Sequence, residues 1–219
     1  MDTEKTKELS AHIAETLDGY LNDNEGWTVA KKTKEITVEY KHSSFEGFTG
    51  HLYRGQMEYK CPKEVVYKYL DPIADGGSLR RKWDKDIREF KILKQVDRNL
   101  WIIQTMTNSA ALGMISPRDF VDLVLHMTTD DCLSTNAVSV EYPDCPHQAK
   151  YVRGWNYPSG NVCLTVPGNP DHSRVVTFVQ PDIKGMLPRS LVDSAIPTSM
   201  MGFFNNLKDI LKKDGCLKS

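Results

Sequence analysis

Acid–base, nucleophilic and metal chemistry each need particular side chains at particular spacings, and few such spacings occur in this sequence. The six histidines are scattered, and none stands at ligand spacing from another histidine or from a cysteine. No G-x-S-x-G, P-loop, H-E-x-x-H or G-x-G-x-x-G pattern is present. Asp130–Asp131 is a carboxylate pair, but it sits where a polar hairpin turn belongs, and a solvated turn accounts for it. Cys163 falls inside a strand-like pattern, which suits a buried structural thiol better than a nucleophile. His126 alternates with Val124 and Phe120, so the three share one strand face, and a structural histidine is the favoured reading. With no catalytic constellation, the expectation moves toward binding. No catalytic residue, metal or cofactor is expected.

Composition narrows what could be bound. Lys and Arg number 28 against 29 Asp and Glu, a net charge of −1. A dedicated nucleic-acid binder concentrates cations to neutralise phosphates, so nucleic acid is not expected as a partner. The N-terminal MDTEKTKELSAHIAETL is charged and amphipathic and lacks the apolar segment of a secretory signal. No run of 18 apolar residues occurs, and neither end carries a lipidation motif. The odd set of five cysteines (Cys61, Cys132, Cys145, Cys163, Cys216), without C-x-x-C pairing, reads as free thiols in a reducing compartment, so a cytosolic location is expected. A chain of 219 residues, 40% of them apolar, can build its own core without staples, and a single domain over 1–219 is expected.

The elements that would position a binding site follow from periodicity. Leu9, Ile13, Leu17 and Leu21 recur at helical spacing, which predicts an amphipathic helix over 3–21. Three β-rich stretches follow (WTVAKK, EITVEYK, HLYRGQMEYK), then a short helix over 62–70 opening at Pro62, then a loop, DPIADGGSL. Strands are expected near 87–95, 99–107, 119–128, 132–141, 151–165 and 173–181. A long helix from Pro188 to about Lys213 closes the chain, with Pro197 expected to kink or loosen it. Consecutive strands without intervening helices imply an antiparallel sheet, and the wide apolar stripe of the last helix needs a surface to lie on. The fold class is therefore α+β, with the sheet curled around the C-terminal helix.

Four stretches, in this order and spacing, resemble the START lipid-transfer domain: KWDKDI (82–87), ISPRDFVDLV (115–124), YVRGWNYPSGNVC (151–163) and TFVQPDIKGMLPRSLVDSAIP (177–197). Together with WTVAKKTKEITV (27–38), they are most similar to the small free-standing members that carry cholesterol or bile acids. The resemblance implies a helix-grip fold, a curved antiparallel sheet gripping the C-terminal helix around a lipid tunnel. It implies a carrier that shuttles one sterol-like lipid (cholesterol, an oxysterol or a bile acid) between membranes, working as a monomer. An enzyme acting on a hydrophobic substrate in the same cavity, or a ligand-dependent sensor, is the alternative.

The resemblance also implies where the site lies. Cholesterol-binding members often pair an acidic residue with an arginine inside the tunnel. By spacing from the PRDF motif those positions are Thr105 and Val124 here, which cannot form that pair. A histidine of some sterol carriers falls near Asn156. The expected lining is therefore uncharged, with Thr105, Thr107 and Asn156 supplying polarity. The apolar loop TNSAALGMISP (107–117), through Leu112 and Met114, is expected to gate the mouth against Met200, Phe203 and Phe204 of the last helix, or to dip into lipid. Lys31, Lys32 and Lys34 are expected to dock on an anionic membrane surface. Strand alternation would place Lys32 and Lys34 on one face unless the strand has already ended.

Overall fold

The computed structural model describes residues 3–218. Helix α1 (Thr3–Asn22) is followed by β1 (Thr28–Lys32), β2 (Ile36–His42) and β3 (His51–Tyr59), then α2 (Lys63–Leu70) and α3 (Ser78–Trp83). Strands β4 (Ile87–Asp97), β5 (Leu100–Thr107), β6 (Arg118–Thr128) and β7 (Cys132–Ser139) come next. Short β8 (Val152–Arg153) and β9 (Trp155–Asn156) precede β10 (Ser159–Val166), β11 (Asn169–Val179), β12 (Pro181–Asp182) and the closing α4 (Arg189–Lys213). The main sheet runs β1-β2-β3-β11-β10-β7-β6-β5-β4 with antiparallel pairing along the whole path. Its two edges are β1, the first strand of the chain, and β4, the first strand after α3. α4 packs on β1, β2 and β3, and α3 packs on both α4 and β4, so the two helices span the opening between the edges. This is the α+β helix-grip arrangement.

Period-2 alternation gives the central strands β3, β5, β6, β7, β10 and β11 residues on both faces of the sheet, and each face has its own core. On the outer face, Ile13 and Leu17 of α1 cover Ile102, Val121, Leu123, Val162 and Val176. On the inner face, α2, α3 and α4 cover Val38, Tyr53, Met57 and Val175 through Leu70, Trp83, Phe204 and Leu207. Tyr53 OH donates to Asp193 Oδ1 (2.9 Å) and Tyr59 OH to the carbonyl of Phe204 (3.1 Å), which ties α4 to β3 at two levels. Phe204 sits against β3 only because position 55 has no side chain. A Cβ on Gly55 would lie 2.6 Å from Phe204 Cε2 and 2.9 Å from Met200 Cε.

Two local features differ from expectation. The stretch 71–79 is not all loop: it holds a 3₁₀ turn (Ala74–Gly77) and the start of α3, a helix too short to show a period. The expected strand 151–165 is broken into β8, β9 and β10. Gly154 permits the break, since a Cβ there would meet Phe120 Cε1 at 2.3 Å, and Pro158 lies between β9 and β10. β8 pairs parallel with β6, and β9 pairs with β12 outside the main sheet. Pro197 lies buried inside α4 and has no N–H to give to the carbonyl of Asp193, so one bond of the helical ladder is missing there, in line with the loosening expected of it. Replacing Gly55 by Ala should destabilise the protein by about 1–3 kcal/mol through overpacking against Phe204. Urea denaturation checks this, and Phe204→Leu should recover part of the loss.

Candidate functional site

A cavity of about 380 Å³ lies between the inner face of the sheet and α4. Alternation along β5 turns Ile103, Thr105 and Thr107 into it, and β6 adds Phe120, Asp122 and Val124. α4 contributes Ala195, Ile196, Ser199, Met200 and Phe203. Leu70 at the end of α2, Pro72 just after it and Val179 of β11 complete much of the apolar wall.

The wall is polar at a few defined places. The main one is Asp122, whose carboxylate is buried in the sheet face and also borders the cavity. Ser139 Oγ donates to Asp122 Oδ1 (2.7 Å) and Asn156 Nδ2 donates to Asp122 Oδ2 (2.9 Å). Asn156 N–H in turn donates to Ser139 Oγ (2.7 Å), so β6, β7 and β9 meet in one closed network. Burial pushes the Asp122 carboxyl up to about 6, against the opposing pull of the Ser139 and Asn156 bonds and the more distant positive charge of Arg153. A second polar row crosses β7, β10 and β11. Thr177 Oγ1 donates to Asn161 Oδ1 (3.0 Å), and Asn161 Nδ2 reaches Thr135 Oγ1 (3.4 Å).

The charged groups nearer the open end are already engaged. Arg80 Nε donates to Asp84 Oδ2 (2.8 Å) and Arg80 also bonds the Leu70 carbonyl (3.1 Å). Arg118 donates to the carbonyls of Ile183 (2.9 Å) and Lys184 (3.1 Å) and to Ser116 Oγ (2.8 Å), which clasps the loop before β6 to the segment before α4. Ser199 Oγ of α4 donates to Asp86, whose carboxyl burial raises. Beyond the lining, His126 Nε2 lies 3.4 Å from Asp71 Oδ1, close enough for an ion pair but without hydrogen-bond geometry. Burial lowers the His126 pKa despite that carboxylate.

The residues singled out from sequence fall in several places. Thr105, Thr107, Val124 and Asn156 all border the cavity, as do Met200 and Phe203. The Thr107 hydroxyl is engaged with the backbone of Arg118, accepting from its N–H at 3.1 Å. Phe204 is not on the lining but lies in the adjacent core on Gly55. Leu112 and Met114 do not line the cavity either. They project to solvent, Leu112 fully exposed and Met114 at 61%, while Ala110 and Ile115 of the same loop form its wall. The loop is pinched at its base, where Ala110 and Ile115 exchange both backbone hydrogen bonds (2.9 and 3.1 Å). Lys31, Lys32 and Lys34 are all exposed, but a bulge after Val29 and the end of β1 at Lys32 leave Lys34 in the following turn, outside the strand alternation. Glu35, next to Lys34, pairs with Lys208 on the C-terminal half of α4 (2.7 Å).

The expectation of an uncharged lining is corrected: Asp122 brings a carboxylate into it. The sequence did contain a signal. Phe120, Asp122, Val124 and His126 alternate along one strand, so whatever face takes Val124 also takes Asp122. Its partners were hidden, because Ser139 and Asn156 come from separate later strands.

Comparison with known proteins places these features in a family. The START domain matches residues 9–215. StAR-related lipid transfer protein 5 from Bos taurus is 39% identical over 214 residues, covering 97% of this chain and 99% of that protein. StAR-related lipid transfer protein 6 from Homo sapiens is 35% identical over 207 residues, covering 94% and 91%. The solved structure of human StAR-related lipid transfer protein 5 superimposes with a TM-score of 0.91 at 35% identity, covering 98% of this chain and 100% of that one.

The raised pKa of Asp122 makes a stability prediction with a definite sign. An acid whose folded pKa exceeds its unfolded value stabilises the fold when protonated, and that contribution is lost as pH rises through the folded pKa, here about 6. Relative to Asp122→Asn, the parent protein should gain on the order of 2 kcal/mol between about pH 7 and about pH 4.5. Denaturant titrations of both proteins at the two pH values check it.

Proposed function

The chain belongs to the START domain family, and from that premise we propose that it carries one sterol-class lipid in the cavity beneath α4 and shuttles it between membranes, unchanged chemically. The observation that carries this reading is the cavity itself. Its wall is mostly apolar, formed by Leu70, Ile103, Phe120, Val124, Met200 and Phe203, and its inner polar groups include Thr105, Asp122 with Asn156, and the Thr135–Asn161–Thr177 row. That is the complement of a molecule that is apolar over most of its surface and polar at one end. Burying several hundred Å² of sterol surface at about 25 cal/mol/Å² is worth several kcal/mol, enough to take the lipid out of water.

The polar contacts fall to Thr105, Asn156 and the neighbouring Asp122 in this reading, with Thr107 holding the end of β5 to β6. The pinched loop 108–117 is the gate, opening by movement of Ala110 and Ile115 against α4, with Leu112 and Met114 as its lipid-facing tip. The protein works as a single domain and a monomer in the cytosol. Lys31, Lys32 and Lys34 add a weak, reversible attraction to anionic membranes, each worth about 1 kcal/mol near the surface.

Sterol titration should give a saturable one-to-one complex, read by native mass spectrometry, with the lipid recovered intact. Binding of a two-chain phospholipid but of no sterol, oxysterol or bile acid would sink the sterol assignment. Thr105→Val should weaken the sterol by about 0.5–1.5 kcal/mol while leaving the fold intact. Changing Lys31, Lys32 and Lys34 together to Ala should slow sterol transfer to anionic vesicles at low salt and leave affinity unchanged. Equal transfer rates for parent and variant would place the docking surface elsewhere.

A further inference from the structure

We propose that Asp122 selects the polar head of the cavity's ligand, accepting a hydrogen bond from a neutral hydroxyl and excluding heads that carry a fixed negative charge. This rests on the carrier reading above and refines its ligand class to lipid alcohols over lipid sulfates and carboxylates.

The geometry fixes the direction of every proton around Asp122. Ser139 Oγ already accepts from the Asn156 N–H (2.7 Å), so its own proton is directed at Asp122 Oδ1 (2.7 Å). Asn156 Nδ2 can only donate, and it donates to Oδ2 (2.9 Å). Each carboxylate oxygen therefore has one protein donor. An ionised carboxylate offers about four acceptor positions, which leaves acceptor capacity on the side that borders the cavity. A ligand hydroxyl placed there adds a third donor to a buried carboxylate. A ligand anion placed there meets a like charge in a poorly solvated wall, and the donors beside it, Ser139 Oγ and Asn156 Nδ2, are already committed to Asp122.

No cation near Asp122 is available to reverse this. Arg153 acts on it from behind the sheet but is paired with Asp119 (2.8 Å), which alternation puts on the other face of β6. On the cavity wall, Arg80 is held by Asp84, and Asp86 adds a further carboxylate. Arg118 is bonded to carbonyls and stands four residues back along the strand, about 13 Å away at 3.3 Å per residue. Burial, which raises the Asp122 pKa to about 6, adds a pH signature: the excluding charge is present at neutral pH and is withdrawn in mild acid.

The test compares two probes that differ at one end, cholesterol and cholesterol 3-sulfate, delivered from cyclodextrin to the full chain at about pH 7.5 and about pH 5. The sulfate ester stays ionised at both, so any change with pH belongs to the protein. The parent protein should prefer the alcohol by about tenfold or more at the higher pH, and the preference should shrink at the lower. Asp122→Asn, nearly identical in shape, should show the smaller preference at both pH values. Ser139→Ala keeps the charge but removes a donor that stabilises it, so the pH midpoint of sulfate binding should move upward. Equal binding of the two probes to the parent protein at the higher pH, as a head turned toward Arg118 would give, overturns the inference while leaving the carrier reading intact. So does an Asp122→Asn variant that keeps both the preference and its pH dependence. Failure of both probes to bind the parent protein overturns the carrier reading and this inference together.

Discussion

The inner face of an antiparallel sheet that does not close on itself must be covered, and in this protein α4 carries most of that cover. The contact between Phe204 and the bare backbone at Gly55 sets how closely the helix approaches β3. Tyr59 and Tyr53 bind it further along, through the Phe204 carbonyl and Asp193. α4 is thereby held against β1–β3, while the far half of the sheet is met by α2 at β7 and α3 at β4, and the cavity lies over β5 and β6 between them. The cavity follows from this asymmetry. It is the volume between a helix pinned to one side of the sheet and the strands on the other.

The polar groups inside the cavity obey a second constraint, that buried donors and acceptors find partners. Asp122 meets it with two donors from different strands, at the cost of carrying a charge where water is scarce. Nearer the mouth, Arg118 meets it with carbonyls and a hydroxyl alone, and so holds two loops together without a carboxylate. One site leaves acceptor capacity facing the cavity; the other has its donors directed into the protein. Polar lining residues are therefore not equivalent, and their hydrogen-bond partners decide which of them can address a ligand.

Much of the fold was legible in the sequence because periodicity and punctuation agree there. The helical stripe from Leu191 to Leu211, opened by Pro188, corresponds to α4 at Arg189–Lys213, and the alternation in ISPRDFVDLV corresponds to β6. What was not legible depends on contacts between segments distant in sequence. α3 has six residues and no readable period. The division of residues 151–165 into β8, β9 and β10 answers to the Phe120 ring filling the space at Gly154. The site was half legible: alternation identifies Thr105, Thr107 and Val124 as neighbours, but attention to the positions of a family's charged pair drew the eye away from Asp122, two residues along the same face. The lysines show the opposite failure, since a bulge and an early strand end disrupt the alternation on which a shared face depends.

Among the described residues, the outer core, built by α1 over β3, β5, β6, β7, β10 and β11, shares only Phe178 with the cavity lining. The sheet therefore works as a bulkhead between two compartments. Ile13, Leu17, Leu123 and Val162 pack together on the side away from the cavity, so a change in what the inner compartment holds need not disturb the seat of α1.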